Sequence, residues 1–260
     1  MARPRLVFFV SGHGYGHATR AALVLERLRA ALPALDAHVR SSAPARLFAG
    51  TGAALSAGDG EPPLLQRGGL DVDWEASLTA HRDALARRDA AVAVEAAWLA
   101  SLRPSLVLCD VPSLACEAAA KAGVPSYLVS NFTWDWVLGE RAKEDPRWLP
   151  VAGRMADAYA SAAGAWRLPG SGGFATVGKV SEAGLVARRS MKPREKARAA
   201  LGVPADGKPL VLVSFGGFGA ATPMLSDPAL AAYRFAGFGP KPAGMTAEWT
   251  ELSESPALPH

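Results

Sequence analysis

The sequence predicts an α/β protein: a Rossmann-like parallel sheet covered by helices on both faces, followed by the opening of a second, incomplete α/β domain. Three observations carry this expectation. Short apolar runs alternate with helical stretches along the 260 residues. The runs are apolar throughout, as in Leu6-Val7-Phe8-Phe9-Val10, which suits strands buried on both faces. Glycine and proline punctuate the boundaries, as in Gly123-Val124-Pro125, where one closes a helix and the other starts a strand.

Taken in order, strands are expected at residues 5–10, 37–42, 64–66, 105–109, 126–130, 165–168 and 210–214. Helices are expected at 18–31, 79–102, 113–122, 148–160 and 193–201. Around residues 186–208 the chain becomes charged and turn-rich, as in Arg188-Arg189 and Ala205-Asp206-Gly207-Lys208-Pro209. This change divides the chain into a first domain at 1–188, a connection at 189–209 and the start of a second domain at 210–260. The remaining stretch holds one further expected helix (227–235) and a Gly/Pro-rich run. That is too little for an α/β domain of the first one's size, so the chain reads as truncated.

Composition narrows the function classes. Half of the residues are hydrophobic and a fifth are charged, an ordinary balance for a soluble enzyme. The net charge is +4, but the arginines are scattered, so a nucleic-acid surface is disfavoured. The mild positive charge suits an anionic substrate or peripheral contact with an acidic membrane surface equally well. Cys109 and Cys116 are expected to be free, buried thiols, and no ligand spacing indicates a metal. Only five apolar residues precede Ser11, too few for a signal peptide, and no run approaches a membrane span. The expected location is the cytoplasm.

The most informative segment is Ser-Gly-His-Gly-Tyr-Gly-His-Ala-Thr-Arg at residues 11–20. A strand, a glycine-rich turn and a helix start aim backbone N–H groups and a helix dipole at an anion. The spacing Gly12, Gly14, Gly16 is not G-x-G-x-x-G. Asp36 precedes its strand instead of ending it, and no G-K-[ST] is present, so dinucleotide and P-loop readings fail. The turn carries two imidazoles, His13 and His17, and imidazole is a ready general base at neutral pH.

The stretches SGHGYGHATR, VLCDVPSLACEAA, VSNFTWDWV, WRLPG, LVARR and LGVPADGKPLVLVSFGG, in this order, resemble GT-B glycosyltransferase-like proteins. The resemblance is above all to the amino-terminal glycosyltransferase-like region of L-arabinokinases and to standalone bacterial relatives, over about residues 5–220. It implies an amino-terminal domain that binds acceptor and a carboxyl-terminal domain that binds most of a nucleotide-sugar. It places the loop histidine of that superfamily on His17, with Arg20 where proline is usual. It places the histidine-orienting acid on Asp110 and the glycine-rich donor turn on residues 214–217. The later donor-binding glycine and acidic motifs have no counterpart in the chain.

These residues suit inverting sugar transfer without a cofactor or metal, the nucleotide-sugar entering as substrate and a hydroxyl compound as acceptor. His17 would take the acceptor proton, with Asp110 fixing its tautomer. Alternatively, His17 is a helix-start residue and Asp110 caps the helix begun near Pro112. Gly12, His13, Gly14 and Gly16 would line the substrate. Asn131, Trp134 and Asp135 follow the fifth strand at the same edge and suit a polyol acceptor, unless the tryptophan belongs to the core. Trp98 and Trp166 read as core. Ser214, Gly216 and Gly217 would meet the donor phosphates through backbone N–H groups. The alternative functions are a non-catalytic sugar-binding or regulatory module and, as a third, an isomerase of the nucleotide-sugar epimerase kind.

Overall fold

The computed structural model describes residues 3–58, 60–68, 71–214 and 227–252. In chain order its strands are β1 (Arg5–Val10), β2 (Asp36–Ser41), β3 (Ala54–Ser56), β4 (Gln66–Gly68), β5 (Asp71–Val72), β6 (Leu106–Asp110), β7 (Ser126–Phe132), β8 (Gly164–Gly172), β9 (Val180–Glu182), β10 (Leu210–Val213), β11 (Arg234–Phe238) and β12 (Glu248–Leu252). The α-helices are α1 (Tyr15–Ala31), α2 (Trp74–Ala86), α3 (Arg88–Leu102), α4 (Ser113–Lys121), α5 (Trp134–Glu144), α6 (Leu149–Ala160) and α7 (Arg194–Ala200). The chain forms two compact units, one from Met1–Leu65 with Trp74–Ala187, the other from Gln66–Asp73 with Arg188–His260.

The first unit is built on a seven-stranded sheet in the order β3-β2-β1-β6-β7-β8-β9, with every neighbouring pair parallel. Apolar strands buried on both faces give this arrangement, and β1 shows why. Val7 and Phe9 point into one core cluster, with Val107, Cys109, Leu128 and Trp148. Leu6, Phe8 and Val10 point into the other, with Ala18, Ala21, Leu25 and Val39. On α1 the buried residues Ala18, Ala21, Ala22 and Leu25 recur at i, i+3, i+4 and i+7, so one face of the helix closes on the sheet. Winding proceeds outward from β1 in one direction and from β6 in the other. Their junction is therefore the sheet's topological switch point, where open α/β sheets leave a crevice at the strands' carboxyl ends.

Several elements differ from the sequence expectation. The helix expected at 79–102 is two helices, α2 and α3, broken at Arg87. After the break the Arg88 side chain turns inward to Glu61, Glu117 and Ser113. The strand expected at 64–66 is not part of the large sheet. Leu64 packs on the core, and Gln66 begins β4, which pairs antiparallel with β5. The helix expected at 227–235 is a short 3-10 turn, Pro228–Ala232, followed by strand β11. Proline fits the turn's start, and Phe235 and Ala236 are buried as strand residues. Trp166 is not core: it is 38% exposed on β8 and stacks on Tyr127 of β7 with ring centroids 4.9 Å apart. Trp98 packs edge-on against Phe9.

Both cysteines are free and buried, with sulfurs 3.7 Å apart, and burial pushes the Cys109 thiol well above its usual range.

In the second unit β10, β11 and β12 form a parallel three-stranded sheet in that order. Its core is small: Phe235, Met245 and Ala247, with Val211, Val213, Leu230 and Trp249 packed against them. Leu212 on β10 is 61% exposed. Among the described residues, no helix is long and apolar enough to cross a membrane.

Candidate active site

The switch point brings together residues far apart in sequence. Val10 and Asp110 are register partners at the carboxyl ends of β1 and β6, and Ser11 N–H donates to the Asp110 carbonyl at 2.8 Å. Beyond Val10 the chain turns through Ser11–Gly14 into α1. Gly14, with φ +72°, is the residue before the helix, a conformation that favours glycine. Gly12 is required by close approach, since a Cβ there would lie 1.9 Å from Ser42 Oγ and 3.1 Å from the Ala43 nitrogen. Gly16 has no heavy atom within 4 Å of where its Cβ would be, leaving open space beside the loop.

His17, in the first turn of α1, points its Nδ1 at Asp110 Oδ1, 2.8 Å away. Asp110 is fully buried, whereas the His17 ring keeps a small exposed edge. A carboxylate only accepts hydrogen bonds, so Nδ1 carries the proton and Nε2 presents a lone pair. The ring also lies edge-on to Phe132, with centroids 5.8 Å apart. His13 is half-buried in the turn, and its backbone N–H donates to Ser11 Oγ at 3.2 Å. Burial, reinforced by the neighbouring His17, holds the His13 imidazole below its ordinary pKa.

Asp110 does not cap α4. Its two oxygens go to His17 and to Arg20, whose Nε donates to Oδ2 at 2.7 Å and whose Nη2 donates to Oδ1 at 2.6 Å. The start of α4 is served instead by Glu61, which accepts from the N–H groups of Ser113 at 3.0 Å and Leu114 at 2.8 Å. Arg20 also donates through Nη1 to Asn131 Oδ1 at 3.0 Å. Sequence reasoning noted Arg20 only as a departure from proline. The signal that would have found it is its spacing: three residues after His17, it lies on the same helix face.

The other expected acceptor residues have different surroundings. Trp134 is corrected to a core residue. It is buried at the start of α5, edge-on to Phe132 at 5.1 Å, and packs with the core cluster under the sheet. Asp135 Oδ2 accepts from Thr176 Oγ1 at 3.1 Å, while Oδ1 is buried without a partner among the described residues. The exposed indole of this segment is Trp136, which rests on Gly172, where a Cβ would lie 2.4 Å from the ring. In the second unit Ser214 is exposed just after β10, and Gly216 and Gly217 lie outside the described residues. Among the described residues no group of three His, Cys, Asp or Glu side chains is placed to hold a metal ion.

The doubly covered seven-stranded parallel sheet gives the class: an α/β protein with a GT-B-like fold. The comparisons agree. A Polygonum tinctorium UDP-glucosyltransferase capable of glucosylating indoxyl superposes with a TM-score of 0.59, covering 93% of this chain and 66% of that one at 13% identity. Phytolacca americana UGT2, solved with UDP-2-fluoro-glucose and pterostilbene, gives 0.57 with 92% and 66% covered at 14% identity. Acinetobacter baumannii MurG gives 0.50, covering 97% and 69% at 14% identity. In sequence the chain is related to the L-arabinokinase of Arabidopsis thaliana, 33% identical over 221 residues, or 81% of this chain. It spans 20% of that protein's length. No protein-family model matches the chain.

Proposed function

We propose that this chain is glycosyltransferase-like and moves a sugar from a nucleotide-sugar donor to a hydroxyl acceptor, with His17 as general base. The observation that carries the reading is the 2.8 Å hydrogen bond from His17 Nδ1 to the buried Asp110 carboxylate at the switch point. With Nδ1 engaged, Nε2 is the nitrogen left to take the acceptor's proton. The freed oxygen forms a bond to the anomeric carbon as the bond from that carbon to the departing diphosphate breaks. Asp110 then stabilises the imidazolium across the same hydrogen bond. His13, held neutral by its surroundings, and the open space beside Gly16 suit the acceptor. The sequence at Ser214, Gly216 and Gly217 suits a diphosphate bound through backbone N–H groups, without a metal.

The test is an assay of the chain with UDP- and GDP-sugars and a panel of polyol and phenolic acceptors, read by mass spectrometry of the glycosylated product. Acceptor-dependent product is expected, falling about 10²–10⁴-fold in His17→Ala, the usual range for a general base. An undiminished rate in that variant would move the base elsewhere.

One observation favours a second reading, a non-catalytic sugar-binding or regulatory module. The matched sequence relative is a much longer protein, of which the match covers 20%, and it is named for a kinase activity. Calorimetric binding of a free sugar, with no product from any donor, would select this reading.

A further inference from the structure

Arg20 stands at the centre of the site, yet the proposed transfer reaction leaves it without a role. Its guanidinium is directed by three acceptor atoms on two residues. Nε and Nη2 fork onto both oxygens of Asp110, and Nη1 donates to Asn131 Oδ1. Nη2 also lies 3.2 Å from His17 Nδ1. Asp110 Oδ1 therefore receives two donors, Arg20 Nη2 at 2.6 Å and His17 Nδ1 at 2.8 Å. The close approach of Nη2 to Nδ1 is then a meeting of two donors, since the Nδ1–H already donates its hydrogen bond to the carboxylate.

The fork fixes the plane of the Asp110 carboxylate, so that Oδ1 alone faces the imidazole. A free carboxylate could rotate, and the ring could adopt the other tautomer, with its proton on Nε2 and no lone pair for a substrate. The ring is enclosed by named neighbours: among the described residues Asp110 comes from β6, Arg20 from α1 itself, His13 from the turn before α1 and Phe132 from β7. Asn131, also on β7, holds the far side of the Arg20 guanidinium.

We infer that Arg20 is a positioning residue for His17. It locks Asp110 so that Nδ1 keeps the proton and Nε2 the lone pair. This rests on the proposed use of His17 as base, and its measurement does not depend on any transfer activity.

The experiment is a long-range ¹H–¹⁵N NMR titration of histidine-labelled protein, in wild type, Arg20→Met and Arg20→Lys. In the wild type His17 should show a single neutral tautomer protonated on Nδ1; the Nε2–H tautomer would overturn the assignment at once. In Arg20→Met, which loses the fork, the two neutral tautomers should mix, and a single Nδ1–H tautomer there would overturn the locking role.

If Arg20→Met does not fold, Arg20→Lys carries the test. It keeps the charge and loses the fork, so the two neutral tautomers should mix. A single Nδ1–H tautomer in Arg20→Lys would overturn the locking role. The expected tautomer populations together with no detectable transfer would leave Arg20's role standing and the transferase reading fallen. Transfer with a single Nδ1–H tautomer in the Arg20 variants would give the reverse.

Discussion

Arg88 Nη1 lies 2.9 Å from Glu61 Oε1, and both side chains are almost entirely removed from water. Arg88 also donates to Glu117 at 2.9 Å and to Ser113 Oγ at 2.8 Å. One buried cation thus ties the segment after β3 to the break between α2 and α3 and to the first turn of α4. Its surroundings raise the guanidinium pKa: Glu61 and Glu117 outweigh a larger opposing effect of burial. Removing one partner of such a pair leaves the other charge buried and uncompensated. Arg88→Ala should therefore destabilise the larger unit by about 3–5 kcal/mol, read as a lower urea midpoint. A change under about 1 kcal/mol would show that the network relaxes without it.

The site's carboxylate can be tested without removing its shape. Asp110→Asn keeps the volume but offers a single acceptor oxygen to two donors, His17 Nδ1 and the Arg20 fork. The proposed transfer should fall by about 10²–10⁴-fold, with the loss mainly in kcat, because binding contacts elsewhere persist. A loss confined to KM would instead place Asp110 in substrate binding.

Acid should weaken the larger unit partly through His81. Its ring is buried against Trp148, with centroids 5.5 Å apart, and Nε2 has no partner among the described residues. Beside it is a cavity of about 20 Å³ lined by Glu61, Arg88 and Arg154, room for one water. Burial, partly opposed by Glu61, lowers the pKa of His81 from 6.5. Between that value and its lower folded-state value, the unfolded chain binds a proton that the folded chain refuses. Stability is therefore complete above pH 6.5 and falls as pH drops below it. His13, also lowered, acts in the same sense. Urea midpoints at pH 7.5 and 5 should differ less in His81→Leu than in wild type. An equal difference in both would remove His81 from the account.

Gly12→Ala tests the turn itself. The added methyl would sit 1.9 Å from Ser42 Oγ and 3.0 Å from Ser42 Cβ. The hydroxyl can rotate away, but the Cβ and the following backbone cannot. The expected cost is about 1–3 kcal/mol, measured by thermal unfolding. An unchanged midpoint would mean that the turn after β1 shifts freely.

Much of the larger sheet was legible because its strands are apolar on both faces, so Arg5–Val10, Leu106–Asp110 and Ser126–Phe132 stand out as short runs. Asp110 and His17 were legible for a related reason: both lie where parallel strands end, and such ends share one edge. The break at Arg87 was not, since Arg88 is drawn inward by Glu61 and Glu117, partners remote in sequence. Trp134 and Trp136 are two residues apart at the start of one helix, and periodicity alone did not show which of them the core takes. Strand β11 was hidden by the alanines just before it, Ala229, Ala231 and Ala232, which read as helix, whereas its pairing with β10 and β12 decides the outcome. Arg20 was overlooked because its significance lies in Asp110, 90 residues further on.

That separation has a kinetic consequence. No local folding event can assemble the pair of His17 and Asp110, because a loop of 93 residues must close first and β1 must find β6 as its neighbour. The site thus comes into being with the middle of the sheet and disappears with it. Amide hydrogens of Val7 to Val10 and of Val107 to Asp110 should exchange with solvent only through unfolding of the whole larger unit. The His17 imidazole signal is then a direct probe of whether that unit is folded.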